Sequence, residues 1–292
     1  MKILVFGGNG MLGHKLVQMF QGKFDVWATL RGNYAGAAEC GIFDAEKTID
    51  NIDVTEPLSI LKAIEISKPD VVINAVGVIK QHPTSNDVEN TLTINSIFPH
   101  RLAELSGRLG FRLICISTDC VFDGAKGNYF ESDTANATDL YGRSKSLGEV
   151  TGLNCITLRT SIIGREIETT HSLVEWFLTN RGKSVKGFVN AVYSGFPTIV
   201  FADIIESLIV GNRDLNGLYH VSSDPISKFE LLKLIKSKFR LEIEIEPFED
   251  FRIDRSLDST RFRQATGFAP QSWEEMTERM ADDETPYDKW RK

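Results

Sequence analysis

The stretch Gly7-Gly8-Asn9-Gly10-Met11-Leu12-Gly13 constrains this chain more than any other. It follows a short apolar run, Lys2 to Phe6, and opens a segment whose apolar residues, at 11, 12, 16, 17, 19 and 20, suit a helix packed on a sheet. A buried strand, a glycine turn and a helix in that order form one half of a βαβ unit. Glycines at 7, 10 and 13 let the chain turn sharply and let its backbone approach a diphosphate. The helix that follows offers unpaired N–H groups and the positive end of its dipole. A plain tight turn before a helix is the competing reading. A P-loop is excluded, because Gly8 and Gly13 would have to be followed by Lys and position 14 is His.

Alternation continues downstream. Strands are expected at 24–30, 49–54, 71–74, 112–117 and 154–159, and helices at 57–66, 88–108 (kinked at Pro99) and 140–150. Residues 31–47 read as a loop. This order predicts an α/β fold, a Rossmann-type doubly wound parallel sheet with helices on both faces. The second half is less regular. Helices are expected near 171–180, 200–211, 227–239 and 273–281, and strands at 217–221 and 242–246, with a Gly-rich stretch at 182–197 and a charged, solvated tail at 282–292. The expected division is a Rossmann domain, 1–165 plus about 198–222, and a smaller α/β region from insertions, about 166–197 plus 223–292.

Composition narrows the partners. The chain has 292 residues, with 33 Lys and Arg against 40 Asp and Glu, a net charge of −7. An acidic balance argues against nucleic acid or an anionic membrane as the main partner. No apolar stretch approaches the roughly 20 residues of a membrane span, and the N-terminal apolar run is too short for a signal-peptide core. Cys40, Cys115, Cys120 and Cys155 form no CxxC pair and read as free thiols in a cytoplasmic protein. No HExxH and no Cys/His cluster occurs, so no metal is expected. No GxSxG elbow marks a serine hydrolase. His14, His100, His171 and His220 have bland readings, and His82 stands alone near the site.

Three further features carry chemistry. The second strand ends at Thr29-Leu30-Arg31, with no acid between Asp25 and Glu39. An acid at that point binds a free ribose 2′-hydroxyl, whereas Arg accommodates a 2′-phosphate, so Arg31 points to NADP. Ser117-Thr118 closes the fifth strand at the carboxyl edge, where open α/β sheets bind ligands. Tyr141 and Lys145, four apart, share one helix face. A neighbouring ammonium is expected to lower the phenol's pKa from about 10, so that the pair can protonate a developing alkoxide.

Together, Gly7/Gly10/Gly13, Asn74-Ala-Val-Gly77, Ser117-Thr-Asp-Cys-Val-Phe-Asp-Gly124, Tyr141-Gly-Arg-Ser-Lys145 and Leu158-Arg-Thr-Ser161 resemble the extended short-chain dehydrogenase/reductases, in particular the dTDP-4-dehydrorhamnose reductase-like branch. Gly217-Leu-Tyr-His-Val-Ser222 and Arg255-Ser-Leu-Asp-Ser-Thr260 extend the resemblance over nearly the whole chain. It implies a catalytic triad of Thr118, Tyr141 and Lys145. It also implies a pyrophosphate cradle of Gly7, Asn9, Gly10, Met11, Leu12 and Gly13, adenine contacts from Asp53 and Val54, ribose contacts from Asn74, Ala75 and Val76, and a structural or proton-relay role for Asn95. The implied reaction is NADPH-dependent reduction of the 4-keto group of a nucleotide-activated 4-keto-6-deoxy sugar, dTDP-4-dehydrorhamnose or a UDP-4-keto-6-deoxy-HexNAc.

Lys80, Thr118, Asn190, Tyr193 and Arg255 are the expected substrate contacts. Arg255 is placed against the diphosphate, and 186–195 serves as a pocket wall, with a plain hairpin as the bland alternative. Cys120 stands where the branch usually has Tyr, and Lys15 where some relatives carry a carboxylate used in subunit contacts; a homodimer is the expected assembly. Two other readings stay open. One is a non-catalytic NADP-binding regulatory subunit, disfavoured by the intact triad. The other is an epimerase or dehydratase, and Asp119-Cys120 lacks the second acid that dehydratases use.

Overall fold

The computed structural model describes residues 1–80 and 85–290. Its strands are β1 (Lys2–Phe6), β2 (Asp25–Thr29), β3 (Thr48–Ile49), β4 (Val71–Asn74), β5 (Arg112–Thr118), β6 (Cys155–Thr160), β7 (Ile162–Ile163), β8 (Ser184–Tyr193), β9 (Phe196–Pro197), β10 (Gly217–His220), β11 (Ile226–Ser227) and β12 (Glu244–Asp254). Seven make one sheet in the order β10-β6-β5-β4-β1-β2-β3, and every pair is parallel. This is the doubly wound α/β sheet that the alternation predicts.

Side-chain alternation explains why the sheet is covered on both faces. In β1, Ile3 and Val5 enter one apolar cluster, with Leu16, Val17 and Phe20 of helix Gly13–Phe20. Leu4 and Phe6 enter the other, with Ile60 and Ile64 of helix Pro57–Ser67 and Phe98 and Leu102 of helix Phe98–Leu109. A continuous apolar strand is what burial on two sides requires. The winding reverses between β1 and β4, and the crevice outside their carboxyl ends is where such sheets bind ligands.

The second half interleaves with the first. β10 returns to extend the main sheet beside β6, while β11, β8 and β12 form a three-stranded sheet of their own. The loop after β5 is tied to this half. Phe122 stacks on Tyr129 at 4.1 Å, and Tyr129 bridges to Leu257. Beneath it, Glu149 accepts from Ser117 Oγ (2.6 Å) and from Arg159 Nε and Nη2 (both 2.7 Å), and His220 accepts from Arg159 at 3.2 Å.

Several expectations need correction. Residues 34–38 are a short helix rather than loop, and the third strand is two residues long. The 88–108 helix is broken by a π turn at Thr93–Ile97, just before Pro99. Proline lacks the amide that would bond the Asn95 carbonyl, and its ring crowds that carbonyl. The stretch 186–195 is neither a loop nor a hairpin: residues 184–193 form one strand pairing β11 and β12. Residues 282–290 are not a solvated tail, since Tyr287 is 2% exposed and Thr285 is buried.

Candidate active site

The glycine turn is built from backbone. Gly8 N donates to Thr29 O at 2.9 Å, Gly7 N to Thr29 Oγ1 at 3.2 Å, and Gly10 N to Gly7 O at 3.0 Å. A Cβ at Gly13 would lie 1.9 Å from the Gly7 carbonyl oxygen, so no other residue closes the helix onto β1 here. No side chain caps helix Gly13–Phe20 and no acid lies in its first turn. Its N-terminus therefore suits an anion. Leu12 is buried in the core and can reach a ligand only through its backbone, whereas Asn9 and Met11 are half-buried. Asn9 Nδ2 donates to Glu168 at 3.1 Å, from the loop before residue 172.

Neighbouring strand ends complete this side. Ala75 N donates to Phe6 O at 3.1 Å, and Val76 N to Asn74 Oδ1 at 3.0 Å. Arg31 is exposed beyond the end of β2. Asp53 accepts from Thr55 N and Oγ1, which hold its carboxyl below the ordinary range with help from the Arg31 charge. Val54 packs in the core.

The other side is built from side chains. Thr118 caps the short turn Asp119–Val121, its Oγ1 accepting from Cys120 N and donating to Asp119, both at 3.1 Å. Asp139 caps helix Leu140–Leu147, accepting from Gly142 N at 3.0 Å and from Lys80 Nζ at 2.8 Å. A Cβ at Gly142 would lie 2.1 Å from the Cys120 carbonyl oxygen. That glycine lets the helix meet the end of β5 backbone to backbone, which sets Tyr141 beside Thr118. Lys80 Nζ lies 5.8 Å from the centre of the Tyr141 ring.

Asn95, in the π turn, ties the site together. Its Oδ1 accepts from Val78 N (2.9 Å), and its Nδ2 donates to Val78 O and Ser144 Oγ (both 3.0 Å). Ser144 Oγ in turn donates to Tyr141 O at 2.9 Å. These bonds tie the Val78 backbone to the helix that carries Tyr141, in a π turn of the kind often found at functional sites.

Electrostatics depart from expectation. Burial pushes the Tyr141 phenol above its ordinary value, and the neighbouring Cys120, Asp119 and Asp139 push in the same direction against Thr118. Lys145 Nζ instead donates to the Ile116 carbonyl at 2.7 Å, and burial lowers its pKa. Desolvation penalises the phenolate directly, and the Lys145 ammonium is spent on the Ile116 carbonyl. Tyr141 therefore keeps its proton at neutral pH. Burial also raises the Asp119 carboxyl, which Arg255 opposes, and the Cys120 thiol is pushed up to about 12 by burial and by Asp119.

The substrate candidates divide. Arg255 Nε donates to Phe122 O at 2.8 Å, and its charge acts on Asp119, Cys120 and Asp139, so it belongs to the cleft with Lys80. Tyr193 is as buried as Thr118, with its ring 5.5 Å from Trp273, and its phenol feels the Asp119 charge, so it backs the cleft rather than forming an open wall. Asn190 is exposed, and its Nδ2 donates to Glu249 O in the register shift of β12. His82 lies outside the described residues. Among the described residues, no cluster of His, Cys, Asp and Glu could hold a metal, and no helix is long and apolar enough to cross a membrane.

Sequence reasoning passed over Gly142 and Asp139. A glycine inside a helix that also carries Tyr and Lys was the available signal, since it marks close backbone approach.

Residues 1–285 match the family described as RmlD substrate binding domain. A dTDP-4-dehydrorhamnose reductase of Aggregatibacter actinomycetemcomitans is 27% identical over 301 residues, covering 94% of this chain and 96% of that protein. The methionine adenosyltransferase 2 subunit beta of Danio rerio is 27% identical over 256 residues, covering 82% of this chain and 74% of that one. Among solved structures, a dTDP-4-dehydrorhamnose reductase of Bacillus anthracis in complex with NADP superposes with a TM-score of 0.78 at 22% identity, covering 96% of this chain and 98% of that one.

Proposed function

The chain belongs to the RmlD substrate binding domain family, and on that premise we propose that it is an NADPH-dependent reductase of the 4-keto group of a nucleotide-activated 4-keto-6-deoxy sugar, with dTDP-4-dehydrorhamnose the leading substrate. One observation carries the reading. Thr118 at the end of β5 and the Tyr141 helix, brought against it at Gly142, share the carboxyl edge of the sheet with a glycine cradle that a single Cβ would fill.

NADP(H) fits that cradle, because the turn offers backbone and a helix N-terminus where a diphosphate needs donors. The residues assigned to it are Gly7, Asn9, Gly10, Met11, Leu12 and Gly13 for the diphosphate, Arg31 for the 2′-phosphate, Asp53 and Val54 for the adenine side, and Asn74, Ala75 and Val76 for the ribose. When bound, the cofactor supplies the hydride for the keto carbon. Thr118 Oγ1 orients the carbonyl, and Tyr141 Oη donates its proton to the carbonyl oxygen. Lys145 exchanges the Ile116 carbonyl for the nicotinamide ribose and stabilises the phenolate left on Tyr141. Lys80 and Arg255 hold the diphosphate of the sugar nucleotide, and Arg suits it through its planar fork. Tyr193 lines the cleft from behind, beside Asp119, and Asn190 is left out, its amide spent on β12.

The main sheet, residues 1–165 with 198–222, is assigned to the cofactor, and 166–197 with 223–292 to the sugar nucleotide. The test is a panel of dTDP-, UDP- and GDP-4-keto-6-deoxy sugars assayed for NADPH oxidation, with product stereochemistry read by NMR. Oxidation with at least one sugar supports the reductase. NADPH binding with no oxidation on any sugar would favour a non-catalytic subunit of another enzyme; the Danio rerio relative is named as a subunit of a methionine adenosyltransferase.

A further inference from the structure

Residues 283–288 form a strap against the first helix. Lys15 is buried, and all three of its ammonium protons are used: Nζ donates to Asp283 Oδ2 (2.6 Å), Gln18 Oε1 (2.5 Å) and Thr285 Oγ1 (3.2 Å). Arg165 bridges Glu175 and Asp288, both at 2.6 Å, with its guanidinium 4.8 Å from the centre of the Tyr287 ring. The strap ends on His14. Its Nδ1 is 2.8 Å from Gly10 O and its Nε2 is 2.8 Å from Tyr287 Oη. A carbonyl only accepts, so Nδ1 carries the proton and Nε2 accepts from the tyrosine. Burial keeps the ring neutral, which this tautomer requires.

Gly10 O thus receives two donors, His14 Nδ1 and His14 N, the latter at 3.1 Å. In a planar trans peptide, the carbonyl of residue 10 and the N–H of residue 11 point in opposite directions. Locking that carbonyl toward the helix therefore aims the Met11 N–H out of the helix N-terminus. We propose that the C-terminal strap is part of the cofactor site: Tyr287, acting through His14, is a positioning residue that sets the Gly10–Met11 peptide to receive the dinucleotide's diphosphate. The inference rests on the cofactor reading above, and it gives a role to residues that do not touch the cofactor.

The experiment uses the full chain, with NADPH as probe. Tyr287→Phe keeps the ring on Arg165 and removes only the hydroxyl. It should raise the NADPH Kd about fivefold, the worth of one hydrogen bond. It should also shift the Met11 amide resonance in the free protein and leave the sugar-nucleotide KM unchanged. Coupling is reciprocal, so NADPH should slow hydrogen exchange of the 283–288 amides in the unmodified protein, a measurement that holds even if the variant does not fold. An unchanged Kd in a folded Tyr287→Phe, or strap exchange indifferent to NADPH, overturns the proposal and leaves the strap a brace, even if the melting temperature falls. An unmodified chain that binds no NADPH overturns the cofactor reading as well, which separates the two failures.

Discussion

The two ends of the cleft are made of different material. At the glycine turn, the bonds run mostly from backbone to backbone, and Gly13 closes the helix onto the turn by lacking a side chain. At the Tyr141 end the contacts run through side chains: Lys145 donates to the Ile116 carbonyl and Lys80 to Asp139, partners that the proposed reaction has them give up. On the proposed function the cradle is preformed, whereas the electrostatics at Tyr141 are completed by what binds. Changes at the first end should therefore cost folding and binding, and changes at the second should cost rate.

The largest expected effect tests the second end. Tyr141→Phe removes only the proton donor, and turnover should fall by about 10²–10⁴-fold, the usual worth of general acid catalysis. NADPH affinity and melting temperature should stay as they are. Turnover within a few-fold of the unmodified protein would break the comparison at its catalytic end.

Gly13→Ala tests the first end. The new methyl meets the Gly7 carbonyl, and overpacking of this kind costs about 3 kcal/mol. Urea unfolding should show that loss together with loss of NADPH binding. A stable variant that still binds would mean the turn can open, and the contrast with the catalytic end would fail.

A pH titration compares the two ends directly, since each holds one buried histidine. His14 is at the cradle, and His220 is in the frame under the Thr118 loop. Burial lowers each from 6.5 to about 4, with Arg159 adding to the effect on His220. A folded pKa below the unfolded one means the unfolded chain takes up the proton first as pH falls. The stability each neutral ring contributes is thus complete above pH 6.5 and is lost on descending toward 4. Between pH 7 and 5.5 the loss should be about 1 kcal/mol per histidine. His14→Phe should flatten half of that slope, and an unchanged slope would show that His14 is not buried neutral.

The smallest effect concerns the exposed rim of the cradle. Arg31→Ala should weaken NADPH binding about two- to fivefold, a modest figure because the pairing is solvent-exposed. NADH should be unaffected. Equal changes in the two dissociation constants would remove Arg31 from the 2′-phosphate.

Much of the fold was legible where local pattern and burial agree. The apolar run of Lys2 to Phe6, the glycine spacing and the amphipathic helices imply a parallel sheet, because no other arrangement buries such strands on both faces. Of the candidate site, the glycine turn, Thr118 and Tyr141 could be named from spacing, since strand ends and helix faces place them at one edge. Lys80 and Arg255 could be named, but not their company of Asp139, Asp119 and Cys120.

What sequence alone determined is thus the layered sheet, the turn and the types of side chain at its carboxyl edge, all properties of period and backbone sterics over short stretches. Tertiary structure decided the rest. It raised the Tyr141 phenol by burial where a charge argument pointed the other way, because desolvation depends on neighbours far along the chain. It took Tyr193 into the core and made 184–193 one strand, because its partners β11 and β12 lie tens of residues downstream. It also turned a charged C-terminal segment into a strap, because Lys15 and His14, some 270 residues earlier, offer buried partners that no local composition reveals.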